Sequence, residues 1–251
     1  MKIEDFKGKN YIVTGAGRGI GRNIALMIAE SGGNILINYR NDDESAKGTM
    51  KDCISLGVEA SLFKADLSTM DGINSLAEYC SGNLEGLSGL VNNSGIYEGE
   101  SLEEMTYESW QRVMNTNLNP VVFLTRSLSK QLKATKGSSV VNISSVLGFV
   151  SDSYGLAYQS SKAAIIHLTR SLAKSLGPEV RVNSITPGFI MTDMNRDGWS
   201  DDEFRAKVER RTILKRWGKA EEIATVACFL LSSGASYITG TNIVADGGIS
   251  L

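Results

Sequence analysis

Tyr158 and Lys162 are the side chains best placed to do chemistry. They stand four residues apart in AYQSSKAAIIHLTRSLA, an apolar-periodic helical stretch, so both can point at one site. Each group titrates near ~10 when unperturbed. A fixed ammonium beside a phenol is expected to lower the phenol's pKa toward the working range of a general acid–base. The same spacing also arises by chance on helix surfaces, so the surroundings decide. Thirteen residues upstream, Val141-Asn142-Ile143-Ser144-Ser145 ends an apolar strand. Side chains at a strand's carboxyl end face the crevice where a ligand lies in an open α/β sheet. A hydroxyl such as that of Ser145 can there hydrogen-bond a carbonyl or alcohol oxygen. Further upstream, Asn115-Thr116-Asn117 interrupts an otherwise apolar helix. A buried Asn needs partners; a water held in a proton path and a helix–helix hydrogen bond are equally good answers.

A second constellation follows the first apolar run. Thr14-Gly15-Ala16-Gly17-Arg18-Gly19-Ile20-Gly21 leads directly into a helix. Glycines at such a turn let the backbone approach a ligand and leave N–H groups at a helix N-terminus, which binds diphosphate. The spacing is T-G-x-x-x-G-x-G, neither the G-x-G-x-x-G fingerprint nor the G-x-x-x-x-G-K-[ST] loop. By itself it also fits a tight connection without ligand. The second strand ends in Asn38-Tyr39-Arg40-Asn41, with no acid at its tip to bind a ribose 2′-hydroxyl and repel a 2′-phosphate. Arg18 and Arg40 can converge on a phosphate by charge-assisted hydrogen bonds, which favours NADP(H) over NAD(H). They can also be simply solvated, or Arg40 can stack on adenine.

These residues need a frame. Short apolar runs at Tyr11–Thr14, Asn34–Asn38, Ser61–Ala65, Ser88–Asn92, Val140–Ile143, Val182–Thr186 and Asn242–Ala245 have the character of parallel strands buried on both faces. Amphipathic stretches separate them. In the first, Ile20, Ile24, Met27 and Ile28 share a face, and Gly32-Gly33 stops the helix. Such alternation predicts an α/β fold, a doubly wound parallel sheet of about seven strands with helices on both faces. Without linkers or repeats, residues 1–251 read as one domain. The irregular segment at about 188–212, with Met191, Met194, Trp199 and Phe204 among charges, either covers a substrate or packs on a neighbouring subunit.

Composition excludes several classes. A formal net charge of -2, with no basic stripe, argues against nucleic acid. The single histidine, His167, rules out a His-rich metal site, no metal is implied, and no G-x-S-x-G elbow accompanies it. His167 reads as a packing or surface residue. Cys53, Cys80 and Cys228 are scattered and odd in number, as buried or idle thiols in a reducing compartment. The opening MKIEDFKGKNYIVTG lacks the apolar core of a signal peptide, and no run approaches the roughly 18 residues of a membrane span. The expected location is cytoplasmic, without membrane or nucleic-acid partners.

Taken together, TGAGRGIG at 14–21, Ala65-Asp66-Leu67, NNSG at 92–95, NTNL at 115–118, ISS at 143–145, YQSSK at 158–162 and PGFIMT at 187–192 resemble the classical short-chain dehydrogenase/reductase family, over essentially the whole chain. The resemblance implies a Rossmann-type fold and a catalytic set of Asn117, Ser145, Tyr158 and Lys162. Ser145 would orient the substrate oxygen and Tyr158 move the proton. Lys162 would hold the nicotinamide ribose and lower the Tyr158 pKa, and Asn117 would anchor a water. It further implies a cofactor shell of Thr14, Gly15, Gly17, Arg18, Gly19, Ile20, Gly21, Asn38, Tyr39, Arg40, Asp66, Leu67, Asn93, Ser94, Gly95, Pro187, Gly188, Ile190 and Thr192, with Tyr158 and Lys162. Asp66 looks like the adenine contact and Asn93 approaches the adenosine ribose, while Ile190 and Thr192 meet the carboxamide.

The nearest flavour is that of bacterial 3-oxoacyl-acyl-carrier-protein reductases, through NYR at 38–40, PGFIMTDM at 187–194 and YITGTNIVADGG at 237–248. Ser94 stands where alanine is usual. Lys136 suits one carrier-docking position, but the other falls near Pro178-Glu179 and has no positive charge. Ser151-Asp152-Ser153-Tyr154-Gly155 also departs from that subgroup's Gly-rich loop. A small-molecule ketone, sugar or other secondary alcohol therefore stays open beside a thioester-borne carbonyl. An NAD-dependent alcohol dehydrogenase and a non-catalytic dinucleotide-binding protein are the rivals. The C-terminal YITGTNIVADGGISL resembles the family's last strand at a homotetramer interface; its plain alternative is a closing edge strand.

Overall fold

All seven apolar runs are strands, each displaced from its predicted limits by at most one residue. The computed structural model describes residues 6–251; residues 1–5, part of the stretch read above for a leader, lie outside them. In chain order the elements are β1 (Asn10–Thr14), α1 (Gly19–Glu30), β2 (Asn34–Tyr39), α2 (Asp43–Ser55), β3 (Ala60–Lys64), α3 (Met70–Asn83), β4 (Gly89–Asn92), α4 (Tyr107–Asn117), α5 (Asn119–Ala134), β5 (Ser139–Ile143), α6 (Leu156–Leu176), β6 (Arg181–Pro187), β7 (Ile190–Met191), α7 (Arg196–Ser200), α8 (Asp202–Arg211), β8 (Gly218–Lys219), α9 (Ala220–Leu231) and β9 (Asn242–Ala245). The main sheet is wholly parallel, in the order β3-β2-β1-β4-β5-β6-β9. The order reverses between β1 and β4, which opens a crevice at their carboxyl ends.

Burial on both faces explains the continuous apolar runs. Alternate residues enter two cores. Tyr11, Val13, Val91 and Val141 meet Ile24 and Ile28 of α1 and Ile223, Ala224 and Ala227 of α9. Ile12, Leu90 and Val140 meet Leu76 of α3, Leu124, Leu128 and Leu132 of α5, and Leu176 of α6. The three cysteines are buried and free. Burial pushes the Cys53 thiol up to about 11 and that of Cys80 to about 12. His167 is exposed.

One polar row crosses this apolar sheet near the strand ends. Thr14 aligns with Asn38, and Asn92, Asn142, Ser184 and Asn242 align in successive strands. Asn92 Nδ2 donates to Thr125 Oγ1 (3.2 Å) and Asn142 Oδ1 (2.9 Å), and Asn142 Nδ2 donates to Thr169 Oγ1 (3.0 Å). Buried amides need such partners.

Two features were not expected. The helix holding Asn115–Asn117 is two helices, broken at Leu118 between α4 and α5. The segment at 188–212 contains β7, α7 and α8, and β7 pairs with β8 in a separate two-stranded sheet. Phe189, Phe204 and Trp217 interlock edge to face, with centroids 5.3 to 6.2 Å apart, and fix this cap to the body. Among the described residues no helix is long and apolar enough to cross a membrane.

Candidate active site

The carboxyl end of β5 and the first turns of α6 meet at one corner. Ser145 caps a three-residue 3₁₀ turn, Val146–Gly148, its Oγ accepting from Leu147 N at 3.2 Å. Its hydroxyl lies close enough to the Tyr158 phenol to oppose the effect of burial on it. One helical turn on, Lys162 is buried, and its Nζ donates to Ile143 O at 2.9 Å, 5.6 Å from the Tyr158 ring centre. Ser144 Oγ donates back to Lys162 O at 2.7 Å. α6 is thus tied to the end of β5 on both sides of Lys162, which fixes Ser145, Tyr158 and Lys162 relative to each other.

The electrostatics of the pair differ from expectation. The Tyr158 phenol is pushed up, not down: burial is the largest cause, the Ser145 hydrogen bond opposes it, and Tyr97 adds to it. Burial also lowers Lys162 to about 8. The ammonium is directed into the Ile143 carbonyl instead of the phenol, and the same low-dielectric surroundings weaken its charge. A phenol in this state remains protonated at neutral pH and is a proton donor.

Asn117, at the end of α4, is buried with its amide fully engaged. Oδ1 accepts from Ile96 N at 2.8 Å, while Nδ2 donates to Ile96 O at 3.0 Å and Ser161 Oγ at 3.2 Å. The side chain braces the loop after β4 against α6. Of the two answers the sequence leaves open, the structure shows the inter-element hydrogen bond. Gly95 lies in the gap, with the Asn117 Oδ1 3.3 Å and the Lys162 Nζ 3.5 Å from where a Cβ would stand.

Two residues of this corner were not recognised in the sequence. Tyr97 packs edge-on against Tyr158, with ring centres 5.2 Å apart and planes at 82°. Gly148 lets the 3₁₀ turn approach the backbone of Lys162 and Ala163. Neither carries a motif signal; a glycine five residues past a strand end is the only hint.

At the glycine turn, α1 begins at Gly19 with no side-chain cap and no acid in its first turn, so its positive end is open to an anion. Gly19 has φ +57, a conformation reserved for glycine, and lies opposite the Thr192 side chain. Gly15, Gly17 and Ile20 line the same turn, and Gly21 packs against the Asn93 amide. Thr14 and Asn93 hold the turn. Thr14 Oγ1 accepts from Asn93 N (2.9 Å) and Ser94 N (3.0 Å), and Asn93 Nδ2 donates to Thr14 O (2.9 Å) and Gly15 O (3.2 Å).

At the end of β2 the predicted shell divides. Asn38 is buried and donates to Phe63 O and Ala65 O, so its side chain ties β2 to β3. The Tyr39 phenol is pushed up by burial and by the Asp43 carboxylate beside it. Arg40 is exposed and, among the described residues, has no ion-pair partner. Arg18 is exposed too, 3.9 Å from Asp42, an acid two positions past the arginine that the strand-tip reading did not weigh. Asp66 is half-buried, accepting from Ser68 N, and Leu67 is buried. At the opposite end, Pro187 closes β6, Gly188 abuts Asp246, and Ile190 and Thr192 have their carbonyls bound by Asn195 and Trp199. A cavity of about 420 Å³ runs between the turn and the cap, lined by Arg18, Gly19, Thr192, Trp199 and Lys219. The open helix end, this cavity and the free arginine suit a dinucleotide phosphate.

A family model described as enoyl-(acyl carrier protein) reductase matches residues 15–250. The chain is 36% identical to the L-rhamnose 1-dehydrogenase (NADP(+)) of Thermoplasma acidophilum, over 98% of this chain and 97% of that one. It is 35% identical to the 3-oxoacyl-acyl-carrier-protein reductase FabG of Staphylococcus aureus strain Mu50, over 96% and 98%. Among solved structures, a short chain dehydrogenase from Burkholderia cenocepacia J2315 in complex with NADP superposes with a TM-score of 0.93 at 30% identity, covering 98% of this chain and all of that one.

Proposed function

Since the chain belongs to the short-chain dehydrogenase/reductase family and is an oxidoreductase, we propose that it interconverts a ketone and a secondary alcohol with NADP(H), working as a reductase. The observation that carries the reading is Tyr158 one helical turn from buried Lys162, whose Nζ lies 5.6 Å from the phenol ring centre, with Ser145 capping the turn beside them at the carboxyl edge of the sheet. Bound beside them, the nicotinamide supplies or accepts the hydride. Ser145 and Tyr158 hold the substrate oxygen between two hydroxyls. As negative charge develops there, the Tyr158 proton passes to it, and Lys162 one turn away stabilises the phenolate left behind. The phenol carries its proton at neutral pH, as a donor in this direction requires. Asn117 keeps the corner rigid. The cap at 188–212 covers the substrate and limits water.

Arg40 and Arg18 would hold the 2′-phosphate. The carboxylate of Asp42 beside Arg18 favours a second reading, NAD(H) dependence. Oxidation of the two reduced cofactors against a panel of ketones and an acetoacetyl thioester, read by absorbance, tests both. A clear preference for NADH would remove the role given to Arg40, and silence across the panel would defeat the reductase reading. The substrate is a small carbonyl or alcohol, free or thioester-borne. A homotetramer is supported by β9, an edge strand whose Val244 is exposed, and by exposed Leu251. Three unpaired thiols support a cytoplasmic location.

A further inference from the structure

The loop after β4 is strapped at almost every residue. Ile96 is clamped through both its N–H and its carbonyl by Asn117. Glu98 forms a two-pronged ion pair with Arg112 of α4, at 2.6 and 2.8 Å. Glu100 accepts from Ser109 Oγ through its side chain, and its carbonyl accepts from Gly155 N at 2.9 Å. These ties hold the loop to α4 on one side and to the start of α6 on the other. Tyr97 is the residue whose side chain they leave unbonded. Its ring fits between Gly99 and Gly155, where added Cβ atoms would lie 3.1 and 2.9 Å from ring atoms. Its edge meets the Tyr158 ring, yet 45% of the residue stays exposed. A rigidly mounted aromatic that touches the proton donor and still shows surface is a wall of the approach to that donor. Phe149 and Tyr154, on the segment joining β5 to α6, are more than half exposed as well.

We propose that Tyr97 is a specificity-determining residue whose exposed ring packs against the non-reacting substituent of the substrate, selecting ketones that carry an alkyl or aryl group over polyhydroxylated ones. The inference rests on the reductase reading above. Preorganisation makes the contact effective, because the ring loses little freedom when substrate arrives. The hydroxyl is not required: burial and Asp152 raise its pKa, so the side chain stays neutral.

Steady-state reduction of 4-phenyl-2-butanone and dihydroxyacetone by NADPH, with wild type, Tyr97→Ala and Tyr97→Phe, tests it. Wild type is expected to favour the phenyl ketone in kcat/KM. In Tyr97→Ala the KM for that ketone rises about tenfold, the loss of roughly 60 Å² of apolar contact, while kcat and all dihydroxyacetone parameters stay within about threefold. Tyr97→Phe behaves as wild type. Equal losses on both ketones, a fall in kcat at unchanged KM, or no change at all would overturn the proposal. So would a wild type that prefers dihydroxyacetone. A wild type that turns over neither ketone nor the acetoacetyl thioester would instead defeat the reductase reading, and the proposal with it.

Discussion

Gly148→Ala isolates the geometric claim from the chemical one, because it adds a methyl group outside the reacting atoms. That methyl would lie 2.8 Å from Ala163 N and Lys162 C and 3.0 Å from Lys162 O. Ordinary contact begins near 3.4 Å, so the two segments must part by about 0.6 Å, an overpacking strain of about 1–3 kcal/mol. α6 is a 21-residue helix and the 3₁₀ turn is three residues long, so the turn yields. Ser145 caps that turn and moves with it, away from Tyr158. A displacement of about 1 Å costs on the order of 10²-fold in rate; about tenfold is expected here. The assay is kcat for any ketone the wild type reduces, alongside the NADPH Kd from fluorescence, which should not change, and thermal melting. Gly48→Ala is the control: it lies in α2 with nothing within 4 Å of its Cβ, and should stabilise by about 0.5–1 kcal/mol with kcat intact. A Gly148→Ala enzyme that is destabilised but retains wild-type kcat would refute the claim that this contact sets the Ser145 position.

Three further outcomes are expected. Tyr158→Phe should lose about 10²–10⁴-fold in kcat while NADPH still binds; turnover above one-tenth of wild type would remove Tyr158 from its role. Arg40→Ala should weaken NADPH binding by about 10–100-fold and leave NADH binding unchanged, as titration of each cofactor would show. Lys162 gives a pH signature without any substrate. Its folded pKa of about 8 lies below the ~10.4 of an unfolded lysine. Its buried charge therefore costs stability below pH 8, and the cost is relieved as pH rises through the window between the two values. The stability difference between Lys162→Met and wild type should shift in favour of wild type between pH 7 and 10; a pH-independent difference in melting would contradict the assigned burial.

The strands and the pairing of Tyr158 with Lys162 were legible because each rests on a local pattern. Runs such as NILIN and SVVNI announce burial on two faces, and Tyr158 and Lys162 share a helix face by spacing alone. What escaped depends on through-space neighbours. β7 and β8 are two residues each, too short for any periodicity to register. The bonds of Asn38 to the carbonyls of Phe63 and Ala65, and of Asn93 to those of Thr14 and Gly15, join residues far apart in sequence, and residue type alone does not reveal them. The Tyr158 shift differs in direction because spacing places Lys162 nearby but does not reveal how deeply the phenol is buried, nor that the ammonium donates to Ile143 O. Gly148 and Tyr97 act through close approach, which leaves no trace in composition.

The polar row beneath the site has a consequence for how the sheet chooses its alignment. A slip of two residues would keep every side chain on its proper face, and apolar pairing alone would barely penalise it. It would, however, part Asn92 from Asn142 and set one of the two amides opposite an apolar residue, Asn92 against Val140 or Asn142 against Leu90, at about 1–3 kcal/mol for an orphaned group. The amides thus act as alignment pins. They fix where β4 and β5 end, and so the height at which Tyr97 and Ser145 emerge, leaving the loops beyond free to vary in substrate without disturbing the machinery below.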